Sequence, residues 1–221
     1  MKKLCITLLT VLTFTTLSMA QVSIRGGVNM ASMSASATES SYQDYKQQSI
    51  LGYQAALVMP IKLTDNVAIQ PELMWIQKGG KFDYTINSNN KLVVSRTYNY
   101  FEVPLSLKLS LGNTSGGLGI YVLGGPYAGL ALNGKTKRET TIGGVTSVAE
   151  STVDYSSDSN QEKRLDWGAN IGAGVTFGKI YIDARYNLGI NNLLDDDASN
   201  TNDNKPYQRN RGLGLTVGLM F

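Results

Sequence analysis

Large apolar residues alternate with polar or small residues along most of the chain, and the last eleven residues show this pattern most clearly. From Arg211 to Phe221 every second residue is large and apolar, and the residues between them are mostly glycine, threonine and methionine. Successive side chains of a strand point to opposite faces, so this segment is predicted to be a strand with one continuous apolar face. Alternation over about ten residues is typical of a strand that crosses a membrane with its apolar face toward lipid.

Seven further segments show the same period of two. They begin near Val22, Leu51, Val67, Tyr100, Leu118, Leu165 and Ile180. The connections between the eight segments alternate between long and short, beginning with a long one after the first segment. Outer-membrane barrels have an even number of strands, short periplasmic turns and longer outer loops, whereas a soluble sandwich has no reason to keep its long loops at one end. We therefore predict an all-β fold, a transmembrane eight-stranded antiparallel up-and-down β-barrel.

The alternation gives bounds for the third and fourth strands and leaves the register of the fifth open. In the fifth segment, Leu118 to Leu132, apolar residues compete for both faces, so its register stays open. The third strand is predicted over Val67 to Lys78 and the fourth from Tyr100 to Leu109. Residues 133–163 are rich in Thr, Ser, Gly and charged residues without a sustained period, and this longest connection is predicted to be a mobile loop.

The first 20 residues have the organisation of a secretory signal. Lys2 and Lys3 precede an apolar run from Leu4 to Leu17, and the segment ends in Ser18-Met19-Ala20. This run is shorter than the roughly 20 residues of a spanning helix. We therefore divide the chain into a signal peptide, residues 1–20, cleaved after Ala20, and an outer-membrane barrel domain, residues 21–221. Cys5, the only cysteine, lies within the signal, so the exported chain contains no thiol.

Charge and composition exclude several classes of function. After removal of the signal the chain carries 18 basic and 17 acidic residues, a net charge of +1, which gives no electrostatic basis for binding nucleic acid. The chain contains no histidine, so Ser-His, His-Asp and His-metal sites are unavailable, and no cofactor or metal is predicted. An outer-membrane hydrolase would have to rely on a carboxylate pair such as Glu72 and Glu102. We therefore predict that the protein is not an enzyme.

The charged residues of the predicted strands lie on the face opposite the apolar row, which is the lumen of a barrel. They are Arg25, Glu72, Glu102, Lys108, Asp166, Asp183 and Arg185. They could line a polar conduit, as in a narrow porin for small solutes, or form a structural network of ion pairs. The interior of an eight-stranded barrel is just wide enough for its own side chains, and buried charges require partners. We therefore predict a lumen charge network in a filled barrel.

Two groups of loop and strand-end residues have a structural and a binding interpretation. Asp195, Asp196, Asp197 and Asp203 could bind a divalent cation, but a solvated acidic loop is the commoner case. Seven tyrosines lie near predicted strand ends or loops, where we expect an aromatic girdle rather than stacking on sugars. These tyrosines are Tyr42, Tyr45, Tyr53, Tyr84, Tyr98, Tyr186 and Tyr207.

Several short sequence motifs, which follow one another in the same order along the chain, resemble those of the PorT-like family of outer-membrane β-barrel proteins of Gram-negative bacteria. They are Gly26-Gly27-Val28-Asn29-Met30, Gln70-Pro71-Glu72-Leu73 with Lys78-Gly79-Gly80, Tyr100-Phe101-Glu102-Val103-Pro104-Leu105 with Lys108, Gly125-Pro126-Tyr127, Asp166-Trp167-Gly168, Arg185-Tyr186-Asn187-Leu188-Gly189 and Phe221. The resemblance implies a single eight-stranded barrel in the outer membrane, with Phe221 as the signal that the assembly machinery recognises. It implies little about activity, although the family's namesake is associated with a protein secretion system.

These observations favour a structural or interaction protein that acts through its four outer loops, with surface assembly or secretion as the possible context. The expected partners are outer-membrane lipid and lipopolysaccharide, and the outer-membrane assembly machinery during biogenesis. The barrel is expected to be a monomer. The narrow porin and the hydrolase are the alternatives.

Overall fold

The chain folds into antiparallel strands. The structure, a computed structural model, describes residues 22–35, 44–87, 89–112, 117–153, 163–194 and 207–221. Within these ranges the strands are Ser23–Ala35 (β1), Asp44–Gln48 (β2), Ile50–Val58 (β3), Ile61–Lys62 (β4), Val67–Asn87 (β5), Asn90–Gly112 (β6), Leu118–Ile142 (β7), Val145–Val153 (β8), Leu165–Phe177 (β9), Ile180–Gly189 (β10) and Gln208–Met220 (β11). No helix among the described residues has the length and hydrophobicity of a membrane span.

Eight of these strands close into a ring. In order around the ring they are β1, β3, β5, β6, β7, β9, β10 and β11, and β11 pairs with β1. The closing ladder contains thirteen residue pairs, from Ser23–Met220 to Ala35–Gln208. A closed sheet leaves no row of unpaired backbone groups facing lipid. The predicted eight-stranded antiparallel up-and-down barrel is confirmed.

The short connections and both described chain ends lie at one end of the barrel, here called the turn end. Phe221 N donates to Val22 O over 3.0 Å at this end. Residues 64–66 form a turn in which Thr64 Oγ1 accepts a hydrogen bond from Val67 N at 3.1 Å. Gly178, with a φ of 60°, begins the two-residue turn between β9 and β10, a conformation that favours glycine. The opposite end is the loop end, which lies outside the cell in the predicted topology.

The two faces of the sheet have opposite character. On β11, Leu213, Leu215 and Val217 are each more than half exposed, whereas the intervening Thr216 is only 1% exposed. The same alternation runs along β3, β9 and β10. The apolar side chains thus point away from the barrel and the polar ones point into it, which is the arrangement that suits surrounding lipid.

The register of the fifth predicted strand is resolved in β7. Ile120, Val122 and Leu130 are exposed on the outer face, and Tyr121 and Tyr127 are buried in the lumen. The alternation could not decide this because both faces carry large residues. The inward tyrosines have partners in the lumen, and these partners come from other strands.

The third and fourth predicted strands are longer than expected. β5 continues to Asn87 and β6 begins at Asn90, so the two strands pair well beyond Trp75 and Phe101. In this continuation Phe82 lies opposite Val94, and both are buried on the inner face. The polar residues on the other face obscured this continuation in the sequence.

The prediction of a mobile loop over residues 133–163 is wrong for most of its length. β7 continues to Ile142, and β8 returns along it with nine residue pairs, from Gly134–Val153 to Ile142–Val145. Gly143 and Gly144 have φ values of 59° and 84° and form the two-residue turn between these strands. A Gly-Gly pair between Thr- and Val-rich segments is a hairpin signal that the low hydrophobicity of this region concealed.

The extended strands build a second feature, here called the outer sheet. It consists of β2, β8 and the loop-end parts of β5, β6 and β7, which are residues 77–87, 90–99 and 133–142. Its strand order is β2-β5-β6-β7-β8. β1 also continues to Ala35, so the long connection predicted after the first segment is in part strand, at Ser32 to Ala35 and in β2.

Some sequence predictions fall on residues outside the described ranges. They are the signal segment 1–20, the four aspartates of residues 195–203, Tyr42 and the side chain of Tyr45. Of the remaining tyrosines, Tyr53, Tyr186 and Tyr207 are exposed, as a girdle requires. Tyr98 is only 2% exposed and belongs with Tyr84 to an apolar cluster inside the barrel, so the girdle prediction is wrong for these two.

Candidate functional site

The lumen contains a cluster of two arginines and two carboxylates, here called the arginine cluster: Arg25, Glu72, Asp183 and Arg185. Glu72 lies between the two arginines, with Oε2 at 2.6 Å from Arg25 Nη2 and Oε1 at 2.6 Å from Arg185 Nη1. Arg185 Nη2 also contacts Asp183 Oδ2 at 2.8 Å. The four residues come from β1, β5 and β10, and every one is at most 5% exposed. The alternation places them inward, and the barrel closure brings β1 and β10 to either side of β11.

Neutral side chains satisfy the remaining acceptors of the arginine cluster. Thr216 Oγ1 donates to Asp183 Oδ1 over 2.6 Å, and Tyr121 OH donates to Asp183 Oδ2 over 3.0 Å. Gln70 Nε2 donates to Glu72 Oε1 over 2.7 Å. Buried charges with complete hydrogen bonding have their desolvation cost largely offset. Removal of one partner leaves the desolvation cost of the remaining charges without compensation.

A second cluster, here called the lysine cluster, consists of Lys78, Glu102 and Asp166. Lys78 Nζ lies 2.8 Å from Asp166 Oδ2 and forms an ion pair with Glu102 Oε1. Its ammonium group also lies 4.2 Å from the centre of the Tyr127 ring, a cation–π distance. Asn210 Nδ2 donates to Asp166 Oδ2 over 2.9 Å. One lysine thus connects carboxylates from β6 and β9.

Lys108 takes no part in either cluster. No carboxylate among the described residues lies within ion-pair distance of its Nζ, which instead lies 3.9 Å from the centre of the Tyr121 ring. Lys108 is half-buried near the turn end, on the strand next to the one that carries Tyr121. Of the seven predicted charges, the structure therefore brings six into two clusters and leaves Lys108 outside them.

Inward glycines make room for the large side chains of the lumen. A Cβ atom at Gly172 would lie 2.7 Å from Arg185 Cγ, and a Cβ at Gly174 would collide with the ring of Tyr121. Both glycines lie on β9 beside the strand that carries Arg185. The arginine cluster therefore requires small residues at these positions of β9.

An apolar and aromatic cluster extends through the lumen from Val58, near the turn end, to the loop end. This cluster includes Met33, Ile76, Phe82, Val94, Tyr98, Tyr100 and Leu193. Tyr121 and Tyr181 form a smaller cluster near the turn end, with ring centres 6.4 Å apart. Together with the two charge clusters, they occupy the interior along most of its length, as expected for a narrow barrel.

Sequence reasoning placed Lys78 on the inward face but did not include it among the network charges. Together with Lys78, the seven predicted lumen residues comprise four positive and four negative charges. The residues that complete the network, Gln70, Asn210, Thr216 and Tyr121, were also missed. The alternation places these residues on the inward face, but it does not predict which inward residues contact one another across the barrel.

The outer sheet is the second candidate site. Ile142, Val145 and Val148 are 68%, 75% and 56% exposed at the tip and on β8. Beyond Leu132, the last large apolar residue on the outward face of β7, that face becomes polar. Lys137 Nζ donates to Glu139 Oε1 over 2.8 Å, and this hydrogen bond raises the pKa of Lys137 and lowers the pKa of Glu139. The sheet thus combines exposed apolar residues with polar and charged ones.

Comparison with known proteins decides the family. Residues 13–195 match the model of the family described as outer membrane protein beta-barrel domain. The chain belongs to this family. The match covers more than half of the chain and agrees with the closed ring of eight strands. This outer-membrane barrel has no significant sequence match among curated proteins.

Several solved structures are similar to this barrel at low sequence identity. Ail, the attachment invasion locus protein of Yersinia pestis, is 16% identical, with 91% of this chain and 99% of that chain covered and a TM-score of 0.42. Neisserial surface protein A is 11% identical, with 90% and 97% covered and a TM-score of 0.41. The N-terminal β-barrel domain of Pseudomonas aeruginosa OprF is 16% identical, with 91% and 99% covered and a TM-score of 0.29.

Proposed function

We propose that this outer-membrane barrel is a structural or interaction protein with a side-chain-filled lumen, and that it acts through its loop end. The observation that carries this proposal is the outer sheet, which extends β5, β6 and β7 beyond the apolar surface of the barrel. Large apolar side chains exposed outside the lipid-facing surface mark candidate sites for protein contacts. Surface assembly or secretion is the proposed context, in line with the resemblance to PorT-like proteins.

The filled lumen supports an interaction role over a porin. The arginine cluster and the lysine cluster join side chains from opposite sides of the barrel, and the apolar cluster packs beside them and continues toward the loop end. An ion that crossed this interior would have to displace buried ion pairs, and breaking such pairs is costly. We therefore propose that the barrel does not conduct small solutes and that it has no hydrolase activity.

The remaining features of the proposal concern export and partners. We propose that the signal segment is removed after Ala20 and that the barrel inserts into the outer membrane as a monomer. It would contact lipid and lipopolysaccharide through its apolar outer surface. The assembly machinery would recognise Phe221 during biogenesis.

Two measurements test the proposed function. In planar bilayers, the purified barrel is expected to give no stepwise conductance. In intact cells, a photo-crosslinking amino acid at Val148 of the outer sheet is expected to yield a recurrent crosslinked species, and the same amino acid at Lys179 of the turn end is the control. Defined conductance steps, or a crosslinking pattern at Val148 no different from that at Lys179, would contradict the proposal.

A labelling experiment tests the orientation on which the proposal depends. Ser147 is exposed on β8, and Asn66 is exposed in a turn at the turn end. We expect Ser147→Cys to react with an impermeant thiol reagent on whole cells and Asn66→Cys to react only after the cells are broken. The exported chain has no cysteine of its own to interfere. Labelling of Asn66→Cys but not Ser147→Cys in intact cells would reverse the orientation.

The proposed role of Phe221 predicts that its loss reduces assembly in cells more than it reduces the stability of refolded barrels in vitro. Phe221 is 64% exposed, so its side chain has little packing to lose. We expect Phe221→Ala to reduce the folded, heat-modifiable fraction in the outer membrane while leaving the urea midpoint of refolded barrels nearly unchanged. Phe177→Ala, at an exposed aromatic residue of the same end, is the matched control. Equal assembly of both variants in cells would argue against a recognition role.

A further inference from the structure

Lys108 is an inward-facing cation whose charge is not balanced by a direct partner. Arg25, Arg185 and Lys78 each contact at least one carboxylate, whereas no carboxylate among the described residues lies within ion-pair distance of Lys108 Nζ. The face of the Tyr121 ring lies 3.9 Å from this ammonium. A half-buried ammonium group that contacts a ring face keeps its hydrogen-bond donors available for an acceptor.

A cavity of about 60 Å³ adjoins Lys108 at the turn end, here called the turn-end cavity. Its polar lining includes Lys62, Asn66, Lys108, Ser110, Tyr121 and Thr176. Lys62 is exposed on β4, next to the turn of residues 64–66, so the cavity lies at the mouth of the barrel. Asp65 also lines it, but this exposed carboxylate forms no ion pair with either lysine.

Two lysines border the turn-end cavity, and no carboxylate among the described residues lies within ion-pair distance of either one. The carboxylates of the arginine cluster, Asp183 and Glu72, are already engaged by Arg185 and Arg25. Tyr121 OH donates to Asp183, so its hydroxyl is engaged as well. An anion that contacts both lysines would therefore enter from solution at the turn end.

We propose that the turn-end cavity binds a small oxyanion, a phosphate or carboxylate group presented from the periplasmic side. Lys108 Nζ would bind it directly, Lys62 would add attraction at the rim, and the Ser110 hydroxyl would donate a further hydrogen bond. A cavity of this size that opens to solvent has room for one small oxyanion group. An ammonium group is a compact charge with three donors and binds phosphate in this way. This site is independent of the outer sheet and of the interaction role proposed for it.

The first experiment measures protection of the lysine itself. Refolded barrels in detergent are treated with an amine-acetylating reagent in inorganic phosphate, in acetate or in chloride at equal ionic strength, and acetylation is quantified at each lysine by mass spectrometry. We expect phosphate to slow acetylation of Lys108 several-fold relative to chloride, and to leave Lys179, exposed in the other turn, unchanged. Equal rates at Lys108 in all three salts would overturn the proposal.

The second experiment measures binding by variants. Equilibrium dialysis with radiolabelled inorganic phosphate is expected to show affinity at least roughly tenfold weaker for Lys108→Met, because a charged hydrogen-bonding partner is lost. Lys62→Met should weaken binding less, and Lys179→Met should not change it. Heat-modifiable migration on gels verifies that each variant is folded. If Lys108→Met does not fold, the phosphate affinity of the exposed variant Lys62→Met tests the site instead. Equal binding by Lys62→Met and Lys179→Met would then overturn the site.

The acetate arm distinguishes the two oxyanions. Protection of Lys108 by phosphate alone would assign the cavity to phosphate groups, and protection by both would assign it to oxyanions in general. Protection by acetate alone would assign it to carboxylates. Failure of this site would leave the conductance and crosslinking tests of the proposed function unaffected, because those report on the lumen clusters and the outer sheet.

Discussion

Replacement of Arg185 with leucine is expected to lower the free energy of unfolding by about 3–5 kcal/mol, the usual effect of removing one partner from a buried ion pair. Arg185 contacts Glu72 at 2.6 Å and Asp183 at 2.8 Å. Leucine cannot replace these contacts. Asp183 would lose its ion pair, and Glu72 would keep only one of its two ion pairs, the one with Arg25. The urea midpoint of barrels refolded in lipid, read from heat-modifiable migration, measures the effect.

Two variants make the Arg185 measurement decisive. Arg211→Leu makes the same chemical change at an exposed position on β11 and should shift the midpoint little. The double variant Arg185→Leu/Asp183→Asn should recover part of the loss, because it also removes the carboxylate left without its arginine. Equal midpoints for Arg185→Leu and Arg211→Leu would contradict the assignment of Arg185 to a buried charge cluster.

An arginine at Val217 is expected to destabilise the barrel by roughly 2–4 kcal/mol in a lipid bilayer. Val217 is 54% exposed at the middle of the outward apolar row of β11, which runs from Leu213 to Phe221. A charged side chain there would lie near the centre of the hydrocarbon layer, far from either polar interface. The free energy of unfolding in lipid vesicles measures the effect.

Leu213→Arg is the matched control for Val217→Arg, because it lies on the same face at the loop-end limit of the row, next to Arg211. Near an interface the penalty falls to about 0–1 kcal/mol. Alternation alone suggests the inward neighbour Thr216 as a tolerant site, but its hydroxyl donates to Asp183 over 2.6 Å, so an arginine there would disturb the arginine cluster. A larger penalty at Leu213 than at Val217 would contradict the placement of β11 in the membrane.

The two faces of most strands could be predicted from sequence because strand side chains alternate strictly. Leu213, Leu215 and Val217 illustrate this on β11, where the inward residues are small or polar. The same reasoning failed for β7, because its inward residues include Tyr121, Leu123 and Tyr127, which are as apolar as the outward ones. Their inward position depends on contacts with other strands, such as the hydrogen bond from Tyr121 to Asp183.

The pairing of charges could not be read from the sequence at all. Lys78 and Lys108 both lie on inward faces, yet Lys78 joins two carboxylates and Lys108 has none within ion-pair distance among the described residues. Which residues meet across the lumen depends on strand register around the whole ring. The outer sheet was missed for a different reason, because its strands are rich in Gly, Ser and Thr and lack the apolar row that lipid requires.

Closure of the barrel between its first and last strands is the central structural claim, and a disulfide tests it most directly. Val28 and Leu215 are paired on β1 and β11. Directly opposed residues of antiparallel strands have Cα atoms about 4.5–5.5 Å apart, within the range for a disulfide. Cysteines at these two positions are expected to crosslink in intact outer membranes and to alter gel migration, whereas cysteines at Val28 and Leu213 should crosslink far less. Failure of the Val28/Leu215 pair to crosslink, or equal crosslinking of both pairs, would contradict the closed eight-stranded barrel.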